Sequence, residues 1–411
     1  MLRFLNERRS RDYPRLMLLV VSAVLLLDVG LRQGWRGGLG QIIGSDFITL
    51  YAAGSVYRTE PAGLYDFSRQ HALQQSLITP TPLTGLNPFI SPPYVAQVYA
   101  LLTILPLPLA FVLISIASLA LLVGSVWLLV ALHTAMGSRF HISRGQLGIL
   151  ALSSFAFIEG FRVGQNHTLA LLLVSAICLA MVKERWALAG ALAGLLIYKP
   201  QFVLGFLILW LIWGRLDALL SFGLVVVAWV GSAVLATGLD PYLGYLGLQG
   251  ALLRLPYVEG FPSYLMVTPY GLLATLLPES ALPLVQWVTR GLAVAATLLL
   301  MVTAYRLRQS PARQRVLGLA AAVLFPLLVA PYTLLHDLLL LIPIVLLLAA
   351  EPTLDWPRLR TWAALAYAGA LFLPLLGYII GVALPALLPL SLAVVTVPAF
   401  WCLLRGGPRP C

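Results

Sequence analysis

Five short clusters in this chain hold the side chains whose types and spacing could do chemistry. Asp46 lies in Gly44-Ser45-Asp46-Phe47, and Asp66 follows in Gly63-Leu64-Tyr65-Asp66. Arg162 precedes Gly164-Gln165-Asn166-His167, and Lys199 stands in Tyr198-Lys199-Pro200-Gln201. The last cluster runs from Pro331-Tyr332 to His336-Asp337. An ionised carboxylate such as Asp46 can take a proton from a hydroxyl, and an imidazole can carry charge or a proton beside it. That makes Asp46 and His336 the catalytic candidates. Arg162, Lys199 and His336 can hold an anionic phosphate. Asp66, Gln165, Asn166, His167, Gln201 and Tyr332 offer hydrogen bonds to the hydroxyls of a polar ligand.

Each of these residues also has a structural reading. Ser45 or Asp46 can cap a helix, and Asp66 stands where a cap for Phe67-Ser68-Arg69-Gln70 would stand. Lys199 can snorkel at a helix end and Arg162 can anchor an outer rim. The Gly164–His167 run can be an ordinary polar turn. Asp337 suits the start of a helix, whereas His336 at that depth needs a partner.

The segments that must carry these residues are strongly apolar. Apolar residues make up 60% of the 411 and charged residues 10%, with a mean hydropathy of +0.94. Soluble domains carry roughly 25% charged residues, so the chain reads as an integral membrane protein. The net charge of +11 follows from basic clusters between apolar runs, the pattern of cytoplasmic loops, and not from nucleic-acid binding. Cys178, Cys402 and Cys411 have neither metal, redox nor disulfide spacing. No Asp-x-Asp, phosphate-binding Gly-x-x-x-x-Gly-Lys-Ser/Thr, His-Glu-x-x-His or Gly-x-Ser-x-Gly occurs, so neither metal nor cofactor is expected.

Apolar runs and basic clusters together give an all-α polytopic protein of about twelve transmembrane helices, read as one domain over residues 1–411. The N-terminal arginines precede a first span at about 16–31, read as uncleaved with its N-terminus inside. A long first outer loop (about 32–107) holds a short helix opened by Pro92-Pro93-Tyr94, too short to cross the membrane and so interfacial or re-entrant. Span 2 covers about 110–132, span 3 about 146–158 and span 4 about 168–182. Spans 5 and 6 flank Lys199-Pro200 and read either as two short helices or as one helix kinked at Pro200. Span 7 (about 217–236) leads to a second long outer loop (about 237–283). Spans 8 to 12 return the C-terminus inside. This path keeps most of the 26 lysines and arginines on the inner side and gathers the candidate residues on the outer face. No internal repeat is visible, and a transporter of an envelope lipid or solute would be expected to show one. The permease remains the alternative reading.

At these residues the chain resembles glycosyltransferase family 87, a group of multi-span transferases of the GT-C type. The matching features are Asp46-Phe47 with Tyr51-Ala52-Ala53, then Leu64-Tyr65-Asp66, Pro92-Pro93 and Gly164-Gln165-Asn166. Gly194 with Lys199-Pro200, and Pro331-Tyr332 with His336, follow in the family's order. The resemblance implies a GT-C fold in the inner or plasma membrane. It also implies a polyprenyl-phosphate sugar donor, mannose by analogy, a lipid or glycan acceptor, and an active site on the outer, periplasmic face. By the same resemblance Asp46 matches the essential loop aspartate, and His336 matches a histidine near the donor phosphate. The tip Tyr332-Thr333-Leu334-Leu335-His336 is less polar than in relatives, a departure that bears on the acceptor.

Overall fold

A computed structural model describes residues 7–83, 85, 87–137, 142–258, 260–309, 316–351, 354 and 356–405, with side chains left aside at 7–11, 249, 356 and 397–405. Among the described residues the fold is all-α, with isolated backbone bridges and no strand. The helices are α1 (Glu7–Gly30), α2 (Ser45–Thr59), α3 (Phe67–Ile78), α4 (Pro93–Ala100), α5 (Leu107–Ala135), α6 (Arg144–Leu152), α7 (Phe155–Val163), α8 (His167–Val182), α9 (Trp186–Leu195) and α10 (Leu204–Trp213). They continue with α11 (Leu216–Thr237), α12 (Asp240–Gly247), α13 (Gln249–Leu252), α14 (Pro269–Leu276), α15 (Leu282–Leu307), α16 (Val316–Val329), α17 (Leu341–Ala349), α18 (Trp356–Ile380) and α19 (Leu387–Arg405).

Every expected span has a helical counterpart, but the counterparts differ in length. Five helices among the described residues are long and apolar enough to cross a membrane alone: Asp12–Gly30, Leu107–Ala135, Leu216–Thr237, Glu279–Leu307 and Pro357–Ile380. Their flanks carry exposed Leu19, Leu224, Val294 and Leu376, a surface suited to lipid rather than water. Span 3 is a bent pair, α6 and α7, meeting at 60°. The bend has a local cause: Ser153 ends α6, and Ser154 accepts the Phe157 N–H at 3.2 Å to start α7. Spans 5 and 6 are α9 and α10, separate helices joined by two 3-10 turns around Lys199-Pro200.

The stretch expected as the first outer loop is far from irregular. It folds into α2, α3 and α4, and α2 buries most of its length, from Phe47 to Tyr57. Gly54 makes that packing possible, because a Cβ there would come within 2.7 Å of the Ala100 backbone on α4. Tyr51 donates its hydroxyl to Leu105 O at 2.7 Å, pinning the far end of the α4 segment. Prolines at the start of α4 and α5 set their first turns.

One continuous core runs from Ile42 to Leu392, and a smaller cluster gathers Met266, Tyr270, Val285 and Ala383. Helix α9 packs on α11 through a face of small residues, Gly190, Ala193 and Gly194. A Cβ on Gly190 would strike the Ala218 carbonyl, and Ser221 donates across the pair to Ala187 O at 2.7 Å. Gly190→Val should therefore strip folded protein from a detergent extract or lower its melting temperature sharply, since overpacking costs about 1–3 kcal/mol or more. Gly231→Val on α11, where a Cβ meets nothing within 4 Å, should leave melting nearly unchanged.

Candidate active site

The site forms where the start of α2 meets the α7–α8 turn. Both turns depend on glycine in the left-handed region: Gly44 (φ 73°) opens α2 and Gly164 (φ 73°) closes α7. A Cβ on Gly164 would lie 2.6 Å from the Phe47 Cβ, so the approach also requires glycine for space. Gly44 N donates to Arg162 O at 2.9 Å, locking the two turns together.

This arrangement replaces the cap reading of Ser45 and Asp46. Gly44 is the cap residue, no side chain caps the helix, and Asp46 lies in the first turn of α2. Its carboxylate is held instead by side-chain amides. Asn87 Nδ2 donates to Oδ1 at 2.8 Å and Gln165 Nε2 donates to Oδ2 at 2.8 Å. Burial pushes the Asp46 carboxyl above its ordinary 3.8; nearby His336 opposes the rise, Glu159 adds to it, and the two amide hydrogen bonds lower it. Asp46 keeps partial solvent access, so it is confined without being sealed.

Asp66, by contrast, is the N-cap of α3, accepting from Ser68 N at 2.9 Å and Arg69 N at 3.2 Å. It stands exposed and makes none of the bonds of the Asp46 cluster. Its helix matters to the site nonetheless. The buried face of α3 carries Gln70, Gln74 and Ile78. Gln74 Nε2 donates to Asn87 O at 2.9 Å, and Gln70 Oε1 accepts from Phe89 N at 2.7 Å. Thr49 also donates to Asn87 O, at 3.0 Å. The capped helix thus fixes the strand-like segment that delivers Asn87 to Asp46.

The cations all have partners. Arg162 Nε donates to Asp28 Oδ2 at 2.8 Å, with side-chain exposures of 10% and 0%, and Nη1 donates to Gln41 Oε1 at 2.9 Å. Nη2 is buried without a hydrogen-bond partner. Lys199 Nζ donates to Asp337 Oδ1 at 2.6 Å, so it is a buried ion-pair member rather than a snorkelling lysine. His336 Nδ1 lies 3.3 Å from Glu159 Oε2, and Nε2 lies 3.6 Å from Asp337 Oδ2. The His167 ring centroid is 6.0 Å from that of His336, and His167 Nδ1 donates to Gln165 O at 3.0 Å.

Asn166 takes Gln165 Oε1 on its N–H at 3.0 Å and receives the Tyr198 hydroxyl on its carbonyl at 3.0 Å. Asp46, Gln165, Asn166, His167, Lys199, His336 and Asp337 are therefore brought together. Gln201 and Tyr332 are not bonded into this group. Gln201 sits half-buried on the turn after Pro200, and Tyr332 packs in a separate cluster with Leu252 and Phe261. Val267 N donates to Thr333 O at 2.9 Å, which ties that loop to the 331–337 tip.

Sequence reasoning missed Asn87, Asp28 and Glu159 as site residues. Asp28 had a signal, because a carboxylate ending an apolar run calls for a buried cation. For Asn87 the only hint was the Gln70–Gln74 spacing, which puts two amides on one helical face.

Beside the polar cluster lies a cavity of about 400 Å³ between α4, α5, α8 and α11. Val98, Leu102, Leu121 and Trp229 line its apolar length, and Gln165 with Asn166 forms its polar end. Val98 and Leu101 are exposed at its rim. Gln165, whose amide holds Asp46, is thus also part of the cavity wall.

Against this geometry, the sequence model of glycosyltransferase family 87 matches residues 89–331, more than half of the chain. The chain belongs to glycosyltransferase family 87. No curated protein and no solved structure matches it. As a family 87 member it is a membrane glycosyltransferase, using a sugar donor and an acceptor, and the permease reading falls away. The matched stretch includes Asn87's neighbours from Phe89 onward, Gln165 and Lys199, while Asp46 and His336 flank it.

The Asp28–Arg162 pair yields a direct test, because a buried charge that loses its partner costs about 3–5 kcal/mol. Arg162→Ala should lower the melting temperature in detergent more than the Asp28→Ala/Arg162→Ala double variant does. Equal melting of the two would show that the pair contributes no coupled stabilisation.

Proposed function

We propose that this glycosyltransferase moves a sugar, mannose by family resemblance, from a polyprenyl-phosphate donor to a hydroxyl of a lipid or glycan acceptor. The reaction takes place at the outer, periplasmic face of the inner or plasma membrane, with both termini cytoplasmic. The observation that carries this reading is the meeting of an apolar groove with a confined carboxylate at Gln165. A lipid chain can lie along Val98, Leu102, Leu121 and Trp229, which leaves its phosphate and sugar beside Asp46, Lys199 and His336.

The step is a single displacement. Asp46 accepts the acceptor O–H proton as the oxygen bonds to the anomeric carbon from the face opposite the phosphate. The bond between that carbon and the phosphate oxygen breaks, and polyprenyl phosphate leaves with the electron pair. A phosphate is already a good leaving group, so fixed charge is the main assistance it needs. His336 and Lys199 supply it, and the unpartnered Nη2 of Arg162 is a further N–H donor. Gln165 and Asn166 act where sugar hydroxyls would lie, and Tyr332 and Gln201 contribute only at the periphery.

The carboxylate is placed for a base rather than for a structural ion pair. Its two hydrogen bonds come from neutral amides, which orient it without neutralising it. A carboxyl raised by burial is a better proton acceptor than an ordinary one.

Purified wild type should transfer labelled mannose from polyprenyl-phosphate-mannose to an envelope-lipid acceptor pool, and Asp46→Asn should not, although it still folds. Equal transfer by both would discard Asp46 as the base. The base works only when deprotonated, so the rate should fall as pH drops through a value above 3.8. Asn87→Leu removes a hydrogen bond that favours the charged form, and should move that acid limb to higher pH. Filling the groove through Ala117→Trp, where Ala117 lines it on α5, should raise the donor KM by tenfold or so while leaving the acceptor KM in place, about 1.4 kcal/mol of lost donor binding. An unchanged donor KM would place the lipid chain elsewhere.

A further inference from the structure

We propose that Glu159 is the positioning residue for His336, holding the Nδ1 proton so that Nε2 is left to take the second proton that gives the ring its charge beside the donor phosphate; this rests on the function proposed above. Two carboxylates flank the ring, but they are not equivalent. Asp337 commits Oδ1 to Lys199 at 2.6 Å, and its Oδ2 approaches His336 Nε2 only to 3.6 Å, beyond a hydrogen bond. Glu159 Oε2 lies 3.3 Å from Nδ1. A carboxylate only accepts, so that bond requires the proton on Nδ1 and turns Nε2 away from α7.

The backbone is built for this contact. Glu159 reaches the ring because the next residue is glycine. A Cβ on Gly160 would lie 2.8 Å from the His336 Cβ and 2.6 Å from the His167 ring, so any larger residue would push α7 away from the 335–340 turn. The other groups around His336 are already engaged. His167 on α8 donates to Gln165 O, Lys199 and Asp337 pair with each other, and Asp46 on α2 takes its two amides. Glu159 is 16% exposed, and among its hydrogen bonds and ion pairs the one that faces the cluster is His336.

The chain has five histidines, few enough to follow each by ¹⁵N-histidine NMR in detergent, with His336→Gln assigning the signal. Wild type should show His336 protonated at Nδ1, and Glu159→Ala should convert that signal to a mixture of tautomers. An unchanged His336 signal in Glu159→Ala would overturn the proposal whether or not the protein is a polyprenyl-phosphate-dependent enzyme. In the mannose-transfer assay Glu159→Ala should lower kcat by about tenfold to a hundredfold, the usual loss when the partner that orients a functional histidine is removed. The donor KM should stay within about twofold. Glu159→Gln, whose amide oxygen still accepts from Nδ1, should recover most of that loss. In a His336→Ala background Glu159→Ala should cost nothing further, whereas a structural role would cost the same in either background. Absence of transfer by wild type would remove the functional reading and leave the tautomer measurement to decide Glu159.

Discussion

Setting charge among apolar helices is costly, and that cost organises the polar cluster of this protein. Arg162 is paired with Asp28 and Lys199 with Asp337, and His336 is bracketed by Glu159 and Asp337. Asp46 differs from the rest. Its oxygens take hydrogen bonds from two neutral amides, so its negative charge is oriented but not cancelled. A confined carboxylate without a salt-bridge partner is a strong proton acceptor, which is what attack by a hydroxyl on an anomeric carbon requires.

The scaffold around Asp46 can be read as the means of keeping those amides in place. Asp66 caps α3, and the Gln70–Gln74 face of α3 grips the backbone of residues 87 and 89. Gly44 and Gly164 allow the α2 and α7 turns to touch, which brings Gln165 to the opposite oxygen. The same Gln165 closes the apolar groove. A lipid-linked substrate in that groove would therefore be registered against the carboxylate by one side chain.

Much of this was legible in the sequence, for a physical reason. A charge beside an apolar run stands out, so Asp46, Arg162, Lys199 and His336 could be picked from composition and position alone, as could the apolar spans, but not every helix inside the two long connections. What stayed hidden was pairing. Nothing local says that Asp28 meets Arg162 across 134 residues or that Glu159 meets His336 across 177, because tertiary contacts are not written in spacing. Asn87 was hidden more deeply, since it lies among Pro80, Pro82, Leu83 and Pro88 with no helical or strand period. Helix lengths were also hard to read. Span 3 is broken by the Ser153-Ser154 pair, and the Lys199-Pro200 break separates α9 from α10. Asp66 showed the reverse difficulty, because the same residue type suits both a cap and a sugar site, and its place in the chain could not separate them.

The most direct test of the central claim is the anomeric configuration of the transferred sugar, measured by NMR from the one-bond carbon–proton coupling at its anomeric centre. A single displacement with Asp46 as base requires a product configured opposite to the donor. A product that keeps the donor's configuration would require a covalent or dissociative intermediate, and would contradict the role assigned to Asp46.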